Sequence, residues 1–491
     1  MKSKSSVSRL LIVVIGVLAL PNWLAAQHRH YKLIDLGTFG GPNSFVDGGA
    51  PSMINNRGAV AGEAETSIPC PYAGAAFSDG VFSPAFVWRN GVLTNLGLLP
   101  GGCFTLPNSI NSRGMMVGSG DIGVIDDMTG FPVLHADFRY RGRVLDLGTF
   151  GGSFSLASQV NDRGQVVGGA ENTDPDPWNF GGILELPSPT AWHAFLWQSG
   201  KKRDLGTLGG PDSFAFSINQ NGQAAGFSFT NSVPNPATGI PTVDPFLWDR
   251  GQMIDLGSLG GTVGLAGSVN NRGQVAGASD TAGDQATHGF LWQNGVLTDL
   301  GTLGGDNSEA DWINDAGQLV GRADLPDGTH HAVVWHRGKT IDLGTIDGDP
   351  CSNGHFINAS GQAIGTTTDC QGTILHTFLW EKGKMIDLSS QVLPGSGFVA
   401  VDPAAINDAG EIVGNGTLLN GESHVVVLRP CNDGDAKIAS NYDSASITSR
   451  VAAHPTEIRE LMPKSPVDRM RAKIGQRYRV PGTSSLPTRN R

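Results

Sequence analysis

The sequence predicts an all-β fold, and within that class a β-propeller of eight four-stranded blades. The chain has 491 residues, of which 69 are glycine, and only 16% are charged. This composition suits short strands and tight turns better than helices. A phrase of the type Asp-Leu-Gly begins at residues 35, 95, 146, 204, 255, 299, 342 and 387, so successive phrases are 43 to 60 residues apart. Periods of about 40–50 residues with several short strands each are typical of propeller blades.

Each repeat contains four strand-like runs, which we name a to d. Strand a ends in Ile-Asn or Val-Asn, as at Ile218-Asn219, and a turn containing Gly222 follows. Strand b is of the type Gln165–Gly168, and strand c is of the type His193–Trp197. A second glycine turn leads to strand d, which ends in the Asp-Leu-Gly phrase. Short runs in which apolar residues alternate with small or polar ones, bounded by Asn, Asp and Gly, are typical of strands.

The turn between strands a and b is predicted to have a structural role. Asparagine can bond its own backbone in a turn, and glycine accepts a positive φ without steric cost. A calcium loop would need a longer ladder of acidic residues. The recurring asparagines are residues 55, 111, 161, 219, 270, 314, 358 and 407, and the glycines are residues 58, 114, 164, 222, 273, 317, 361 and 410.

Strand c carries a large residue at one fixed place, and in six repeats it opens with histidine. The large residue is expected to pack between neighbouring sheets. The histidine is expected to donate an inter-strand hydrogen bond, because histidines related by the repeat would point to different places around a ring and could not converge on one metal ion. The large residues are Trp88, Tyr140, Trp197, Trp248, Trp292, Trp335, Trp380 and Leu428, and the histidines are His135, His193, His288, His331, His376 and His424.

These phrases resemble the bacterial extracellular HAF-repeat family, which is named after the tripeptide His-Ala-Phe found here at residues 193–195. The resemblance covers residues 31 to 430 and includes the following Leu-Trp, Asp-Leu-Gly-Thr-Leu-Gly-Gly and Ile-Asn-x-x-Gly segments. The tripeptide is altered in repeats 1, 2, 4 and 8. The resemblance implies an exported repeat protein of propeller type and implies no established catalytic residues.

The two ends of the repeat array add up to one blade. Tyr31–Gly37 reads as a strand d with no a, b or c before it, and the last unit, Phe398–Pro430, lacks strand d. A terminal strand that completes the last blade removes the open edges of the array. With blades numbered in chain order, we expect this strand to close blade 8. A seven-bladed ring with one degenerate copy is the alternative.

The segments outside the array differ from it in composition. Residues 1–26 read as a secretory signal peptide. Lys2, Lys4 and Arg9 precede a short apolar run, and Leu24-Ala25-Ala26 offers small residues for cleavage. An uncleaved membrane anchor is the alternative, and no later segment is apolar enough to span a membrane. Residues 27–431 form the propeller, and the basic tail 432–491 is expected to be disordered.

The charge distribution argues against nucleic-acid binding. The signal contributes +3 and the tail +5 to a chain of −11, which leaves −19 on the residues between them. A general nucleic-acid surface needs basic groups that displace counterions. The signal peptide predicts a secreted protein, or alternatively a periplasmic one. We expect no cofactor and no metal site.

The connections between strands alternate between two faces of a propeller. The a–b and c–d turns lie on one side, here called the turn face, and the b–c and d–a connections lie on the other, the loop face. The b–c connections are long only in blades 1 to 4. They are predicted at Ala64–Ser83, Gly120–Leu134, Ala170–Trp192 and Ser228–Val243. Long loops on one side of a scaffold commonly carry binding function.

The candidate ligand-binding residues come from these loops. They are Trp178, Trp192, Asp174, Asp176 and Glu185 of blade 3 and Tyr72 of blade 1. Aromatic groups beside carboxylates suit a sugar or peptide surface. Packing of the same side chains within the loop is the alternative, and the mouth of the central channel is an alternative place for the site.

Four of the five cysteines fall in neighbouring connections of the loop face. In an exported protein this placement predicts disulfides Cys70–Cys103 and Cys351–Cys370. No partner is apparent for Cys431.

Two classes of function follow from these features. The first is a non-catalytic binding or interaction propeller that recognises a glycan, a peptide or a protein. The second is a propeller-type glycan hydrolase or lyase that uses loop carboxylates such as Asp174 and Asp176. No catalytic residue can be assigned, because the chain has neither a Gly-x-Ser-x-Gly elbow nor a His-Glu-x-x-His motif.

Overall fold

The structure is a computed structural model that describes residues 30–47, 52–71, 80–127, 130–176, 178, 189–236, 239 and 241–431. The predicted signal peptide and the tail 432–491 lie outside the described residues. Within them, four strands follow one another in each repeat, and their order along the chain is a, b, c, d.

The first seventeen strands are the N-terminal strand and the four strands of each of blades 1 to 4. They are β1 (His30–Asp35), β2 (Gly40–Phe45), β3 (Val60–Thr66), β4 (Ala85–Arg89), β5 (Val92–Gly97), β6 (Thr105–Ile110), β7 (Met116–Ile125), β8 (Pro132–Tyr140), β9 (Arg143–Asp146), β10 (Ser155–Val160), β11 (Gln165–Pro175), β12 (Thr190–Gln198), β13 (Lys201–Asp204), β14 (Ser213–Ile218), β15 (Ala224–Phe229), β16 (Val243–Asp249) and β17 (Gln252–Asp255).

Blades 5 to 8 contain the remaining strands and one short helix. They are β18 (Gly260–Val269), β19 (Val275–Thr281), β20 (Thr287–Gln293), β21 (Val296–Asp299), β22 (Ser308–Ile313), β23 (Leu319–Asp324), β24 (His330–His336), β25 (Lys339–Gly344), β26 (Cys351–Ile357), β27 (Ala363–Thr368), β28 (Ile374–Glu381), β29 (Lys384–Asp387), α1 (Ser389–Val392), β30 (Phe398–Ile406), β31 (Ile412–Leu418) and β32 (Ser423–Cys431). The sequence pattern gave no sign of α1, which is a single turn between blades 7 and 8.

The strands pair as successive antiparallel groups of four. Six sheets have four strands each, and β14–β21 form one larger sheet. That sheet consists of two antiparallel groups of four, which one parallel pair, Val243 with Val263, joins. The described residues therefore contain eight such groups, which agrees with the predicted number of repeats.

The N-terminal strand completes the last group, as predicted. Strand β1 pairs with β32 in antiparallel register, with Leu33 opposite Leu428, and the sheet order is β1-β32-β31-β30. This strand supplies the d position that the last repeat lacks. The sheet consequently has no unpaired edge at β32.

The first and last groups also contact each other directly. The amide of Val425 in β32 donates to Ser44 Oγ of β2 at 2.9 Å, and the amide of Ser423 donates to Asn43 Oδ1 at 3.0 Å. Asn415 bonds both the amide and the carbonyl of Val46, each at 2.9 Å. The array thus closes into a ring, which is the architecture of a β-propeller.

The hydrophobic core lies between neighbouring sheets, as predicted for the tryptophans of strand c. In blade 2 the prediction was wrong: Arg139, opposite Met116, holds the tryptophan position in place of Tyr140. Trp197 of blade 3 packs on Phe138 of blade 2 with ring centroids 5.1 Å apart. Trp335 of blade 6 packs in the same way against apolar residues of blade 5. Each blade therefore buries its faces against its two neighbours, which is how some 400 residues can form one domain.

One position in strand b accepts only glycine, for a steric reason. The register of strand a shifts by one residue between Ala157 and Gln159 in blade 3, which brings its backbone close to strand b. A Cβ added at Gly168 would lie 1.9 Å from the carbonyl oxygen of Leu156. Similar shifts occur in six of the other seven groups, and they explain why the Gln-Val-Val-Gly type of run ends in glycine.

The long b–c connections of blades 2 and 3 are shorter than predicted, because their strands continue as hairpins. In blade 2 the pairing of β7 and β8 extends to Ile125 and Pro132, and in blade 3 that of β11 and β12 extends to Pro175 and Thr190. The predicted loop boundaries at Gly120–Leu134 and Ala170–Trp192 were therefore wrong. Backbone pairing across the hairpins continues past the positions at which the sequence pattern predicts loops.

Candidate functional site

The asparagines of the a–b turns form a continuous ring on the turn face. In blade 1, Asn55 Oδ1 accepts the amides of Arg57 and Ala59, each at 3.0 Å, which confirms the predicted turn. Asn55 Nδ2 also donates to the carbonyl of Asn111 in the next blade at 2.9 Å. The same inter-blade bond joins residues 111 to 161, 161 to 219, 219 to 270, 270 to 314, 314 to 358, 358 to 407 and 407 to 55. The asparagine ring therefore holds each blade to the next and returns to its start.

A second circle of polar residues lies one position further along each turn, at the mouth of the central channel. Asn271 donates from its amide and its Nδ2 to the carboxylate of Asp315 at 2.8 and 2.7 Å, and Asn56 Nδ2 donates to Asp408. These residues line a cavity of about 320 Å³. Because the polar groups bond one another from blade to blade, they are explained by ring assembly without any ligand.

The histidines that open strand c bond the aspartate of the Asp-Leu-Gly phrase in the same blade. His193 Nδ1 lies 2.8 Å from Asp204 Oδ2, and the amide of Gly206 donates to Asp204 Oδ1 at 2.7 Å. Equivalent pairs are His135 with Asp146, His288 with Asp299, His331 with Asp342 and His424 with Asp35. The predicted inter-strand bond is confirmed in these five blades, whereas His376 lies 2.7 Å from Asp349 Oδ2 in the connection entering blade 7.

These pairs also affect ionisation. Burial of Asp146 disfavours its charged form, but hydrogen bonds from His135 and Gly148 outweigh this and lower its pKa below the ordinary value. The pKa of Asp204 is lowered in the same way. Among the residues that the structure describes, no group of three or more His, Cys, Asp or Glu side chains could hold a metal ion.

Two disulfides fix connections on the loop face, as predicted. Cys70 in the b–c connection of blade 1 is bonded to Cys103 at the entry to blade 2, with Cα atoms 5.8 Å apart. Cys351 at the start of β26 is bonded to Cys370 with Cα atoms 5.2 Å apart. Cys431 forms no disulfide with any described residue. The first bond also belongs to an apolar cluster that extends beneath the long connections of blades 1 to 4.

The structure distributes the predicted ligand-binding residues between surface and interior. Trp192 lies in β12 and not in a loop, it is fully buried, and it packs near Phe214 with ring centroids 6.2 Å apart. Its ring face is therefore closed to a ligand, and the packing alternative accounts for it. Tyr72 and Glu185 lie outside the described residues.

The remaining three candidates lie at the end of the blade 3 hairpin. Asp174 is exposed, and its amide donates to Asn172 Oδ1 at 2.8 Å. Asp176 is buried and accepts the amide of Trp178 at 2.7 Å. Trp178 is half-buried. The surface that the sequence suggested is therefore reduced to Trp178 and Asp174, with Asp176 holding the backbone beneath them.

A buried acidic pair supports this hairpin from below. Asp212, in the connection entering blade 4, is fully buried and accepts the amide of Trp192 at 2.8 Å. Burial and the nearby charge of Asp176 raise the pKa of Asp212 well above its ordinary value. Sequence spacing could not reveal this pair, because the two residues are in different blades.

A second carboxyl with a raised pKa lies in blade 1. Glu63 in β3 accepts a hydrogen bond from Ser83 Oγ at 3.0 Å. Loss of solvent around the carboxyl, together with the charges of Glu65 and Asp47, raises its pKa to about 8 even though the Ser83 bond acts in the opposite direction.

Exposed aliphatic side chains on the loop face were missed by the sequence reasoning. Ile68 is 59% exposed and Val233 is 73% exposed, in the b–c connections of blades 1 and 4. Val124 and Ile125 are 50% and 41% exposed near the end of the blade 2 hairpin. The sequence does contain one signal for their exposure, which is the absence of strand alternation around them. An apolar residue in a segment without alternation has no sheet face that would bury it.

Comparisons with known proteins give no family. No family model matches the chain, and no curated protein matches it. Solved structures with some likeness include the β-propeller domain of the Trilobed protease from Pyrococcus furiosus, with 10% identity, 60% of this chain and 83% of that chain covered, and a TM-score of 0.36.

Two further structures are TolB from Acinetobacter baumannii and a sialidase from Trypanosoma rangeli. TolB has 11% identity, covers 61% of this chain and 77% of its own, and has a TM-score of 0.32. The sialidase has 11% identity, covers 72% of this chain and 58% of its own, and also has a TM-score of 0.32. Likenesses at this level do not bear on what the chain binds.

The described residues contain no helix long and apolar enough to cross a membrane.

Proposed function

We propose that the chain is an exported, non-catalytic binding propeller of the HAF-repeat type, which recognises a glycan, a peptide or a protein through the b–c connections of blades 1 to 4. The observation that carries this proposal is the group of exposed aliphatic residues on the loop face, Ile68, Val124, Ile125 and Val233. Exposed apolar groups that a rigid scaffold holds in place commonly mark an interaction surface. They favour a peptide or protein partner over a glycan.

The rigidity of that surface supports the same proposal. The disulfide Cys70–Cys103 and the cluster beneath it anchor the connections of blades 1 and 2. Trp178 and Asp174 add an aromatic group and a carboxylate at the end of the blade 3 hairpin. A preorganised surface loses little conformational freedom on binding. Disulfides are also expected where a protein is exported to an oxidising compartment.

Glycan and peptide arrays on the mature protein, followed by titration of any partner found, test this proposal. If Trp178 contacts the partner, Trp178→Ala weakens its affinity by about 2 kcal/mol or more and leaves the melting temperature almost unchanged, as expected for a central aromatic contact. Trp192→Ala is the packing reference, and it lowers stability by about 3–5 kcal/mol because it empties a core position. If neither Trp178→Ala nor substitution of the exposed aliphatic residues of the loop face weakens the affinity, the binding site lies at the channel mouth instead.

A glycan hydrolase or lyase is the second candidate function, and the pair Asp176–Asp212 favours it. A carboxyl whose pKa is raised by burial and by a neighbouring carboxyl group is a candidate general acid, and the other member of the pair is then the candidate base. Turnover of polysaccharides measured for the wild type and for Asp212→Asn tests this candidate. Activity that Asp212→Asn abolishes supports the enzyme, and an absence of turnover on every glycan that the protein binds rejects it.

A further inference from the structure

A basic groove lies between blades 5 and 6 on the turn face, away from the surface proposed above. Its volume is about 600 Å³, which is within the range of small-molecule sites. The a–b turn of blade 5 contributes Arg272, and the c–d turn of blade 6 contributes His336, Arg337 and Lys339. Three permanent positive charges therefore meet in one groove of a protein whose propeller region is strongly acidic.

These basic side chains are not neutralised by the protein. In the part of the chain that the structure describes, Arg272, Arg337 and Lys339 take part in no ion pair. His336 Nδ1 lies 3.4 Å from the carbonyl of Gly317. The carboxylate that lines the groove, Asp299, is already bonded by His288 and by the amide of Gly301.

Neutral donors complete the lining of the groove. The Oε1 atoms of Gln293 and Gln318 accept hydrogen bonds from Gln274 and Asn314, at 3.0 and 2.8 Å. Their Nε2 groups have no hydrogen-bond partner among the described residues. Trp335 also lines the groove, is only 3% exposed, and has a buried Nε1 without a hydrogen-bond partner in the described chain. At this burial Trp335 forms only the wall of the groove, so the two glutamine amides are the neutral donors that a ligand can reach.

Between blades 1 and 2 the three cations recur as Arg57, Arg141 and Arg143, but Arg89 and Met115 stand where the groove has Gln293 and Gln318. Arg429 of blade 8 stands at the position that corresponds to Gln293, and it bonds Glu411 at 2.7 Å. In blade 7 the end of strand c carries Glu381, which accepts Gln362 Nε2. The combination of uncommitted cations and uncommitted amides is therefore not a requirement of the repeat.

We propose that the groove between blades 5 and 6 binds an acidic saccharide, that is, a sugar chain bearing carboxylate or sulfate groups. Guanidinium groups bond such anions in a planar, bidentate manner, and the ammonium of Lys339 adds a point charge. Glutamine amides are suited to sugar hydroxyls, which both donate and accept hydrogen bonds. The site lies on the opposite face from the b–c connections and does not depend on the proposed loop-face function.

Calorimetric titration of the whole protein with a galacturonic acid hexamer tests this proposal, with a neutral galactose hexamer as the comparison. The acidic hexamer binds, the neutral one does not, and raising the salt from 20 to 200 mM weakens binding because exposed charges are screened (about 30 Å to 10 Å screening length between 0.01 and 0.1 M). The combined variant Arg272→Gln, Arg337→Gln and Lys339→Gln weakens binding at least about tenfold, as expected when several charge-assisted bonds are lost.

Two variants make the outcome specific. Arg250→Gln with Lys382→Gln removes two cations from c–d turns of blades 4 and 7, where the side chains are 92% and 88% exposed, and it leaves binding unchanged. Gln293→Leu removes one of the unpaired amide groups from the exposed side of the groove, and it weakens binding of the hexamer by several-fold without loss of folding. Equal affinity of the triple variant, equal binding of the neutral hexamer, or tighter binding of a single-stranded DNA of the same charge would overturn the proposal. Sulfate ion binding as tightly as the hexamer would also overturn it, because the sugar would then contribute nothing.

Discussion

On the turn face, the same asparagine recurs in every repeat and bonds the next asparagine around the ring. On the loop face, the b–c connections do not repeat in this way: blades 1 to 4 carry long connections or extended hairpins, and blades 5 to 8 carry short ones. The turn face is therefore explained by assembly, since its recurring polar groups bond one another. The loop face has groups that assembly does not require, such as Ile68 and Val233. Function is best sought where the repeat is broken, and the groove between blades 5 and 6 follows the same rule on the other face.

The first prediction tests whether the N-terminal strand closes the ring of blades. Deletion of residues 28–40 removes β1 and leaves β32 unpaired, so we expect a loss of more than about 5 kcal/mol, comparable with the whole stability of a domain. Melting curves and size-exclusion chromatography measure the loss and the resulting aggregation. A chain lacking residues 432–491 serves as the truncation control. A β1 deletion that stays monomeric with an unchanged melting temperature would contradict ring closure by this strand.

The second prediction separates the buried asparagine ring from the exposed circle beside it. Asn270→Ala removes the bond to Asn314 and leaves the amides of Arg272 and Gln274 without their acceptor, so we expect a loss of about 4 kcal/mol. Asn271→Ala in the same turn removes exposed bonds and costs less than about 1 kcal/mol. Denaturant unfolding of the two variants measures the difference. Equal losses would show that the inner ring has no special role.

The third prediction concerns the disulfides on the loop face. Each closes a loop, of 33 residues for Cys70–Cys103 and 19 for Cys351–Cys370, and each should contribute about 2–4 kcal/mol. Replacing both cysteines of one pair by serine therefore lowers the midpoint of denaturant unfolding. Peptide mapping without reduction checks the pairing, and a peptide joining Cys70 to Cys370 would refute it.

The fourth prediction is a pH effect in blade 1. The pKa of Glu63 is raised from its ordinary value of 4.5 to about 8, so between these values the folded state holds a proton that the unfolded state has lost. The stability due to this proton is therefore lost as pH rises from 4.5 to 8, by at most about 1.4 kcal/mol per pH unit. Glu63→Gln should flatten the stability profile in this interval, whereas Glu422→Gln, in a turn of blade 8, should not. Parallel profiles for wild type and Glu63→Gln would show that Glu63 is ionised in the folded state.

The fold could be predicted from the sequence because its signals repeat. One Asn-x-x-Gly turn is weak evidence, but eight at similar spacing fix the strand order, and the lone strand before the first repeat fixes the closure. The disulfides followed because that order places Cys70 beside Cys103 and Cys351 beside Cys370. The inter-blade bonds of the asparagines were not predicted, since a turn bond alone explains asparagine at those positions.

The candidate site could be predicted only in outline, because it depends on residues that do not repeat. Trp192 was read as a loop residue, but backbone pairing extends β12 to Thr190 and buries the indole. The pair Asp176–Asp212 and the charges of the groove between blades 5 and 6 join different blades. Such pairs depend on the side chains of two neighbouring sheets, which no pattern within one repeat encodes.

The affinity of a partner found by the arrays for two matched double variants tests the central claim most directly. Ile68→Ser with Val233→Ser removes two aliphatic side chains from the loop face, 59% and 73% exposed, and Val92→Ser with Val296→Ser removes two that are each 61% exposed from strands β5 and β21. Binding through the loop face predicts at least a tenfold weaker Kd for the first variant, about 1.4 kcal/mol, and an unchanged Kd for the second, with both melting temperatures near that of the wild type. An unchanged Kd for the first variant, or an equal loss in both, would contradict the claim that the partner binds where the repeat is broken.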